Sequence, residues 1–269
     1  MPTRDLGRSY RLVVALVRPL LMLLTRREWR GGENLPRSGG FVACANHISY
    51  VDPMTFGHFL LDHGHPPYFL AKESLFTIPV VGRVIRGAGQ IPVHRESANA
   101  AAALASAATA LDEGKCIALY PEGTLTRDPG LWPMMAKSGA ARLALETGCP
   151  VVPVAQWGPQ SMLSPYSARL QLLPRKVIRI TAGPPVDLDD LRGRPVDAEV
   201  LAEASERIMV AITQLLRPMR PGEPPAQRFD PREHGQSRFG NPGKVAQDAT
   251  RAARDATRAA RDRGRRRAS

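Results

Sequence analysis

Residues 41–53 read Phe41-Val-Ala-Cys-Ala45-Asn46-His47-Ile-Ser-Tyr-Val-Asp52-Pro53. Five unbroken apolar residues have the length of a strand buried on both faces, and the Asp-Pro pair a few residues later reads as an N-cap followed by a first-turn proline. The unit is therefore strand, turn, helix. Working outward, further strand-length apolar runs lie at Tyr68–Ala71, Gln90–His94, Cys116–Tyr120, Val151–Gln156 and Val177–Ala182. Helical patterns fall between and after them at Pro53–Leu61, Pro79–Arg86, Ala98–Glu113, Ser138–Thr147 and Asp197–Leu216. The Ala-rich third helix has Ser97 as a candidate N-cap and Gly114 just past its end. Alternation of this kind predicts an α/β fold, a single domain with a central, largely parallel mixed sheet flanked by helices.

The two ends differ from this body. Of the formal charge of +12 on 269 residues, 1–30 carry 7 Arg against 2 acids and 221–269 carry 12 basic against 6 acidic residues. The middle keeps 18 basic and 17 acidic residues, so a nearly neutral body sits between basic ends suited to an anionic surface. Residues 1–30 read as an amphipathic membrane-interface segment, 31–218 as the domain, and 219–269 as a basic, Pro/Ala/Arg-rich disordered tail. In the first segment the apolar stretch Leu12–Leu24 is broken by Arg18 and Pro19, too short and punctuated for a bilayer span of about 20 residues. Arg8, Arg11 and Arg18 fall on one side of its helical wheel and Leu12, Leu16, Leu20 and Leu23 on another, the layout of a helix lying in a membrane interface. The alternative is an amphipathic helix packed on its own domain. In the tail the heptad Asp-Ala-Thr-Arg-Ala-Ala-Arg occurs twice, from Asp248 and from Asp255, without a large apolar residue, which excludes a coiled coil. Cys44, Cys116 and Cys149 each lie in apolar runs that read as buried strands, with no CxxC spacing, and His58, His63 and His65 form no metal-ligand set.

Chemistry concentrates where strands end. His47 leaves a strand with Asp52 five residues on, a spacing that lets a carboxylate fix the imidazole tautomer and raise the basicity of its other nitrogen. The capping reading of Asp52 stands beside the catalytic one. Gly89-Gln-Ile-Pro-Val-His-Arg95 puts an Arg beyond a short strand, Tyr120-Pro-Glu-Gly-Thr-Leu-Thr126 puts a tight turn beyond another, and Lys137-Ser-Gly-Ala140 opens a helix whose free N–H groups favour an anion. In α/β folds such strand ends gather the ligand.

Taken in order these blocks resemble the glycerolphosphate acyltransferase family. Its NHxxxxD block is matched by Asn46, His47 and Asp52, its Gly-initiated strand ending in Arg by Gly89 to Arg95, its Pro-Glu-Gly-Thr turn by Pro121 to Thr124, and its two-proline strand by Pro150-Val-Val-Pro153-Val. The resemblance runs from Asn34 to Gly183. It implies transfer of a fatty acyl group from acyl-CoA or acyl carrier protein to the hydroxyl of a lysophospholipid, 1-acylglycerol-3-phosphate giving phosphatidic acid in the best-known members, with no cofactor and no metal. His47 is then the general base and Asp52 its partner, while Arg95, Glu122, Gly123, Thr124, Arg127 and Lys137 position the acceptor phosphate. The place is a cell membrane, peripheral or monotopic on the cytoplasmic face. One departure touches the acceptor: where well-known lysophosphatidic acid acyltransferases carry Arg after the Glu-Gly-Thr turn, this chain has Leu125, with Arg127 two residues on. Either Arg127 supplies that charge or the acceptor is a different lysolipid or glycolipid. A non-catalytic membrane adaptor is the other class, disfavoured by the joint presence of His47, Asp52 and Arg95. An acyl-serine hydrolase is disfavoured by the absence of a GxSxG elbow, and nucleic acid by the absence of an aromatic-studded basic groove.

Overall fold

The computed structural model describes residues 6–93 and 99–236. Residues through Phe229 form one compact unit, and a second begins at Asp230. The expectations for Arg95, for the Ser97 cap and for the tail beyond residue 236 lie outside the described residues.

The chain opens with α1 (Arg8–Leu24) and β1 (Thr25–Arg30), then β2 (Phe41–Ala45), α2 (Asp52–Asp62), β3 (Pro67–Lys72), α3 (Val81–Gly87) and β4 (Ile91–Val93). It continues through α4 (Asn99–Asp112), β5 (Cys116–Leu119), α5 (Gly139–Thr147), β6 (Val151–Trp157), β7 (Lys176–Ala182) and α6 (Ala198–Leu216). Among the described residues seven strands form one sheet in the order β1-β7-β6-β2-β5-β3-β4. Every neighbouring pair is parallel except β6–β7. The mixed, mostly parallel sheet is the expected one.

The apolar run of β2 is central, and its period of two divides the core. Val42 and Cys44 pack with Ile117, Leu119 and Val151 beneath α4, α5 and α6. Phe41, Ala43 and Ala45 face the other way, with Phe56, Phe59 and Leu60 of α2 and Ile178 and Ile180 of β7. Each face of the sheet is thus sealed by helices, which is why these strands are apolar throughout rather than alternating.

Three features depart from the sequence reading. Thr25–Arg30, placed within the N-terminal interface segment, is an edge strand paired in parallel with β7. Its charged sequence Thr-Arg-Arg-Glu-Trp-Arg hides it, because a sheet edge tolerates charge that a central strand does not. Cys149 lies between the left-handed Gly148 that ends α5 and the start of β6, so two of the three buried thiols, not all, sit in strands. The body also continues past Leu216: the Met135 N–H donates to the Phe229 carbonyl, Arg228 pairs with Glu206, and the Arg220 guanidinium lies between the rings of Trp132 and Trp157, 4.0 and 4.6 Å from their centroids.

α1 carries two apolar stripes. Tyr10, Val13, Val14, Val17, Leu21 and Leu24 face the domain, the Tyr10 hydroxyl donating to the Pro67 carbonyl, and Arg18 pairs with Asp62 of α2. Leu12, Leu16, Leu20 and Leu23 face outward, Leu16 and Leu23 being 66% and 68% exposed. The helix is packed on its own domain and still presents an apolar face. Among the described residues no helix is long and apolar enough to cross a membrane.

Candidate active site

β2, β3, β5 and β6 run parallel, so their C-terminal ends share one edge of the sheet. The turn after β2 carries His47, and the turn after β5 carries Tyr120 to Thr126. His47 Nδ1 lies 2.8 Å from Asp52 Oδ2. The same oxygen accepts the backbone N–H groups of Ile48 at 2.6 Å and Ser49 at 2.8 Å. An oxygen accepting two N–H groups cannot itself donate, so Nδ1 carries the proton and Nε2 presents its lone pair. Asp52 is helical rather than a cap: Val51 holds the N-cap position of α2, and the carboxylate turns back to cap the His47 turn instead of the helix. Burial pushes the Asp52 carboxyl above its ordinary range, against the pull of His47 and the two amides.

The imidazole is fixed on its face as well as its edge. Tyr120 stacks on it at 4.0 Å between centroids with 13° between planes, leaving the His47 side chain 14% exposed. Behind it, Asn46 and Gln156 clamp β2 to β6 through three hydrogen bonds: the Gln156 N–H donates to Asn46 Oδ1, and the two side-chain amides each donate to the other residue's carbonyl.

Glu122 corrects the sequence assignment. Its Oε1 accepts the His47 N–H at 2.9 Å and its Oε2 the Met134 N–H at 3.0 Å, in a fully buried setting. A buried carboxyl group with both oxygens committed to backbone N–H groups does not hold a phosphate; it staples the His47 turn to the loop 132–135. Burial pushes its carboxyl up to about 8. The Thr126 N–H donates to the His47 carbonyl at 2.7 Å and the Lys137 N–H to the Pro121 carbonyl at 2.9 Å, closing the frame.

The remaining expected phosphate groups separate. Gly123 has φ +70, and the aliphatic stem and ammonium of half-exposed Lys137 lie so close over it that a Cβ there would stand 3.3 Å from Nζ. Leu125 is buried, and its carbonyl accepts the Tyr166 hydroxyl at 2.8 Å. Thr124 and Arg127 both hydrogen-bond Tyr166, and Arg127 is 7% exposed. Its guanidinium is buried against Tyr166 rather than presented to solvent, and Leu125 is buried as well. Gly123 and Lys137 stay together, in the turn that Glu122 and the Thr126 N–H hold against His47, while Thr124 and Arg127 share Tyr166. Tyr120 and Gln156, which sequence reasoning passed over as ends of strands, are the residues that immobilise the histidine turn.

Residues 26–157 match the model of the Acyltransferase family. The 1-acyl-sn-glycerol-3-phosphate acyltransferase of Borreliella burgdorferi is 38% identical to it over 125 residues, 46% of this chain and 48% of that protein. The enzyme of the same name from Bacillus subtilis is 28% identical over 183 residues, 68% of this chain and 84% of that protein. The crystal structure of the 1-acyl-sn-glycerophosphate acyltransferase PlsC from Thermotoga maritima superimposes with a TM-score of 0.59 and 25% identity, covering 80% of this chain and 81% of that one. The chain spans about half the length of the Borreliella relative, and residues 26–157 contain β2, the His47 turn, the Glu122 turn and β6.

Proposed function

We propose that this acyltransferase moves a fatty acyl group from a thioester, acyl-CoA or acyl carrier protein, to the hydroxyl of a lysophospholipid, with 1-acylglycerol-3-phosphate as acceptor and phosphatidic acid as product. The observation that carries the reading is the 2.8 Å contact of His47 Nδ1 with Asp52 beneath the Tyr120 stack, an arrangement that leaves Nε2 as the basic nitrogen. In this reaction Nε2 takes the hydroxyl proton as the acceptor oxygen attacks the thioester carbonyl. The tetrahedral intermediate collapses with cleavage of the C–S bond, and the imidazolium returns its proton to the leaving thiolate. No acyl-enzyme forms, because a thioester already has a good leaving group. Asp52 holds the tautomer and stabilises the transient imidazolium.

Lys137, above the Gly123 turn, and Arg95 of the second sequence block are the groups assigned to the acceptor phosphate. Lys137→Ala should raise the KM for the lysolipid about tenfold, the worth of one charge-assisted hydrogen bond, and leave the KM for acyl-CoA unchanged. Arg127→Ala should instead lower the melting temperature, since it empties a buried site against Tyr166. An acceptor-selective KM effect in Arg127→Ala, with none in Lys137→Ala, would reverse the two roles.

The outward stripe of α1 suits a monotopic attachment to the cell membrane, on the cytoplasmic face where acyl thioesters are supplied. Leu16→Glu combined with Leu23→Glu should release the protein from anionic vesicles at low and at high salt alike, because apolar burial is not screened by ions. Co-sedimentation at two ionic strengths measures it. Full retention of the double variant would place the anchor elsewhere.

A further inference from the structure

The segment between β3 and α3 leaves the same sheet edge as the His47 turn, and it is apolar where it should be polar. Leu75, Ile78, Val80 and Val81 are all exposed, Val80 to 65%. The segment is also built to stay in place. Phe76 is buried beneath it, Gly82 packs so closely on the Phe76 backbone that no side chain would fit, and Arg86 donates to the Phe76 carbonyl at 2.7 Å. Val80 has φ 65 and ψ −62, at the centre of a γ-turn closed by the Val81 N–H on the Pro79 carbonyl at 2.8 Å. A β-branched residue rarely sits there, and the strain is spent on presenting an aliphatic side chain to solvent. The Gly82 and Val84 N–H groups are taken by the Ile78 and Val80 carbonyls, and Pro79 has none to satisfy, which lowers the cost of placing this backbone in a poorly hydrated medium.

We infer that residues 75–81 form a preorganised knob that enters the lipid bilayer beside α1 and sets the His47 edge of the sheet against the membrane. The inference rests on the acyltransferase reading for its purpose and not for its geometry. Three observations favour lipid over a protein partner. The exposed large side chains are aliphatic, without the aromatic and Arg anchors of protein interfaces. Exposed Lys72, Arg83 and Arg86 flank the knob against Glu73 alone, a charge balance suited to anionic headgroups. The knob leads directly into α3, whose Gly87 packs against Ser9 and Gly7 at the start of α1, so it is tethered to the helix that carries the outward leucines.

The test uses the full chain carrying Ile78→Cys, labelled with an environment-sensitive thiol dye; Cys44, Cys116 and Cys149 are buried, so the introduced thiol is the reactive one. Vesicles of equal parts phosphatidylcholine and phosphatidylglycerol should shift the emission to the blue, and lipids with a quencher in the acyl chain should extinguish it. Unchanged emission from protein that has sedimented with the vesicles overturns the inference. So does a blue shift in buffer that grows with protein concentration, which would assign the knob to a second copy of the chain. Ile78→Asp combined with Val80→Asp buries no charge in the free protein and should lower vesicle affinity about 100-fold, roughly tenfold for each side chain withdrawn from lipid. Transfer to a short-chain, water-soluble acceptor should be unchanged. Vesicle affinity equal to wild type overturns the knob while leaving the acyltransferase reading intact. A wild-type protein whose knob enters lipid but which transfers no acyl group sinks that reading alone.

Discussion

His47→Ala is expected to slow acyl transfer by about 10²–10⁴-fold, the usual worth of a positioned general base, while the domain stays folded. The fold survives because the side chain lies at the sheet edge, and the turn beneath it is held by backbone groups: His47 N–H on Glu122, Thr126 N–H on the His47 carbonyl, and Ile48 and Ser49 N–H on Asp52. Asp52→Asn separates orientation from charge. All three side-chain hydrogen bonds of Asp52 fall on Oδ2, and an asparagine oxygen in that place accepts the same three. The tautomer therefore survives; the negative charge opposite the imidazolium is lost, and the new NH₂ takes the place of Oδ1, which is buried without a hydrogen-bond partner. A fall in kcat of about 10²-fold follows, of the size found when one electrostatic contact to a developing charge is removed. Asp52→Ala should be worse in stability, since it also orphans two buried amides. Steady-state kinetics with acyl-CoA, alongside thermal melts, check all three. Near-wild-type turnover in a folded His47→Ala variant would remove His47 from the chemistry.

How far this site was legible in the sequence depends on the range of the interactions that build it. β2 and the helix after it announce themselves, because burial on both faces leaves no polar residue in Phe41–Ala45 and because Asp52-Pro53 opens a helix. The pairing of His47 with Asp52 is equally local, since five residues of turn bring them together. The capping role expected of Asp52 was displaced by a stronger local demand: three donors of the turn converge on one oxygen, and the helix has none as close. Glu122 could not be read correctly from its motif. Its partners are the amides of His47 and Met134, each contributed by a different loop, and a turn containing a carboxylate looks the same in sequence whether it faces substrate or core. Gln156 and Tyr120 were hidden for a similar reason, as their contacts cross between strands that pair only in the fold. The alternative reading of α1, a helix packed on its own domain, is the one the structure describes, with the outward leucines left exposed. A wheel shows one outward apolar stripe clearly, but the inward stripe of Tyr10, Val17 and Leu21 is recognised only once β3 and α3 supply its other half.

Glu122→Gln should lower stability by about 1–3 kcal/mol and flatten its dependence on pH. The first effect follows from geometry: each carboxyl oxygen accepts one backbone N–H, the hydroxyl oxygen keeping a lone pair for it when protonated, whereas an amide offers one acceptor and turns its NH₂ toward the other donor, leaving both buried and unpaired. The second follows from the position of its titration. In the folded protein the Glu122 carboxyl titrates near 8 against an ordinary value of 4.5, raised by burial and by the neighbouring Asp52 charge. Between those values the native state binds a proton that the unfolded chain has released, so stability falls as pH rises, and the contribution complete below about 4.5 is gone above about 8. His58 and His65, both held below their ordinary 6.5 by burial, act in the opposite sense and are spent above that value. In the interval from 6.5 to 8 these histidines are spent, and the difference between wild-type protein and Glu122→Gln isolates the carboxyl. Urea unfolding across it should show the midpoint of the wild-type protein dropping and that of Glu122→Gln nearly level. Parallel slopes in the two proteins would mean that Glu122 is already ionised in the fold, with its two amides outweighing the cost of burial.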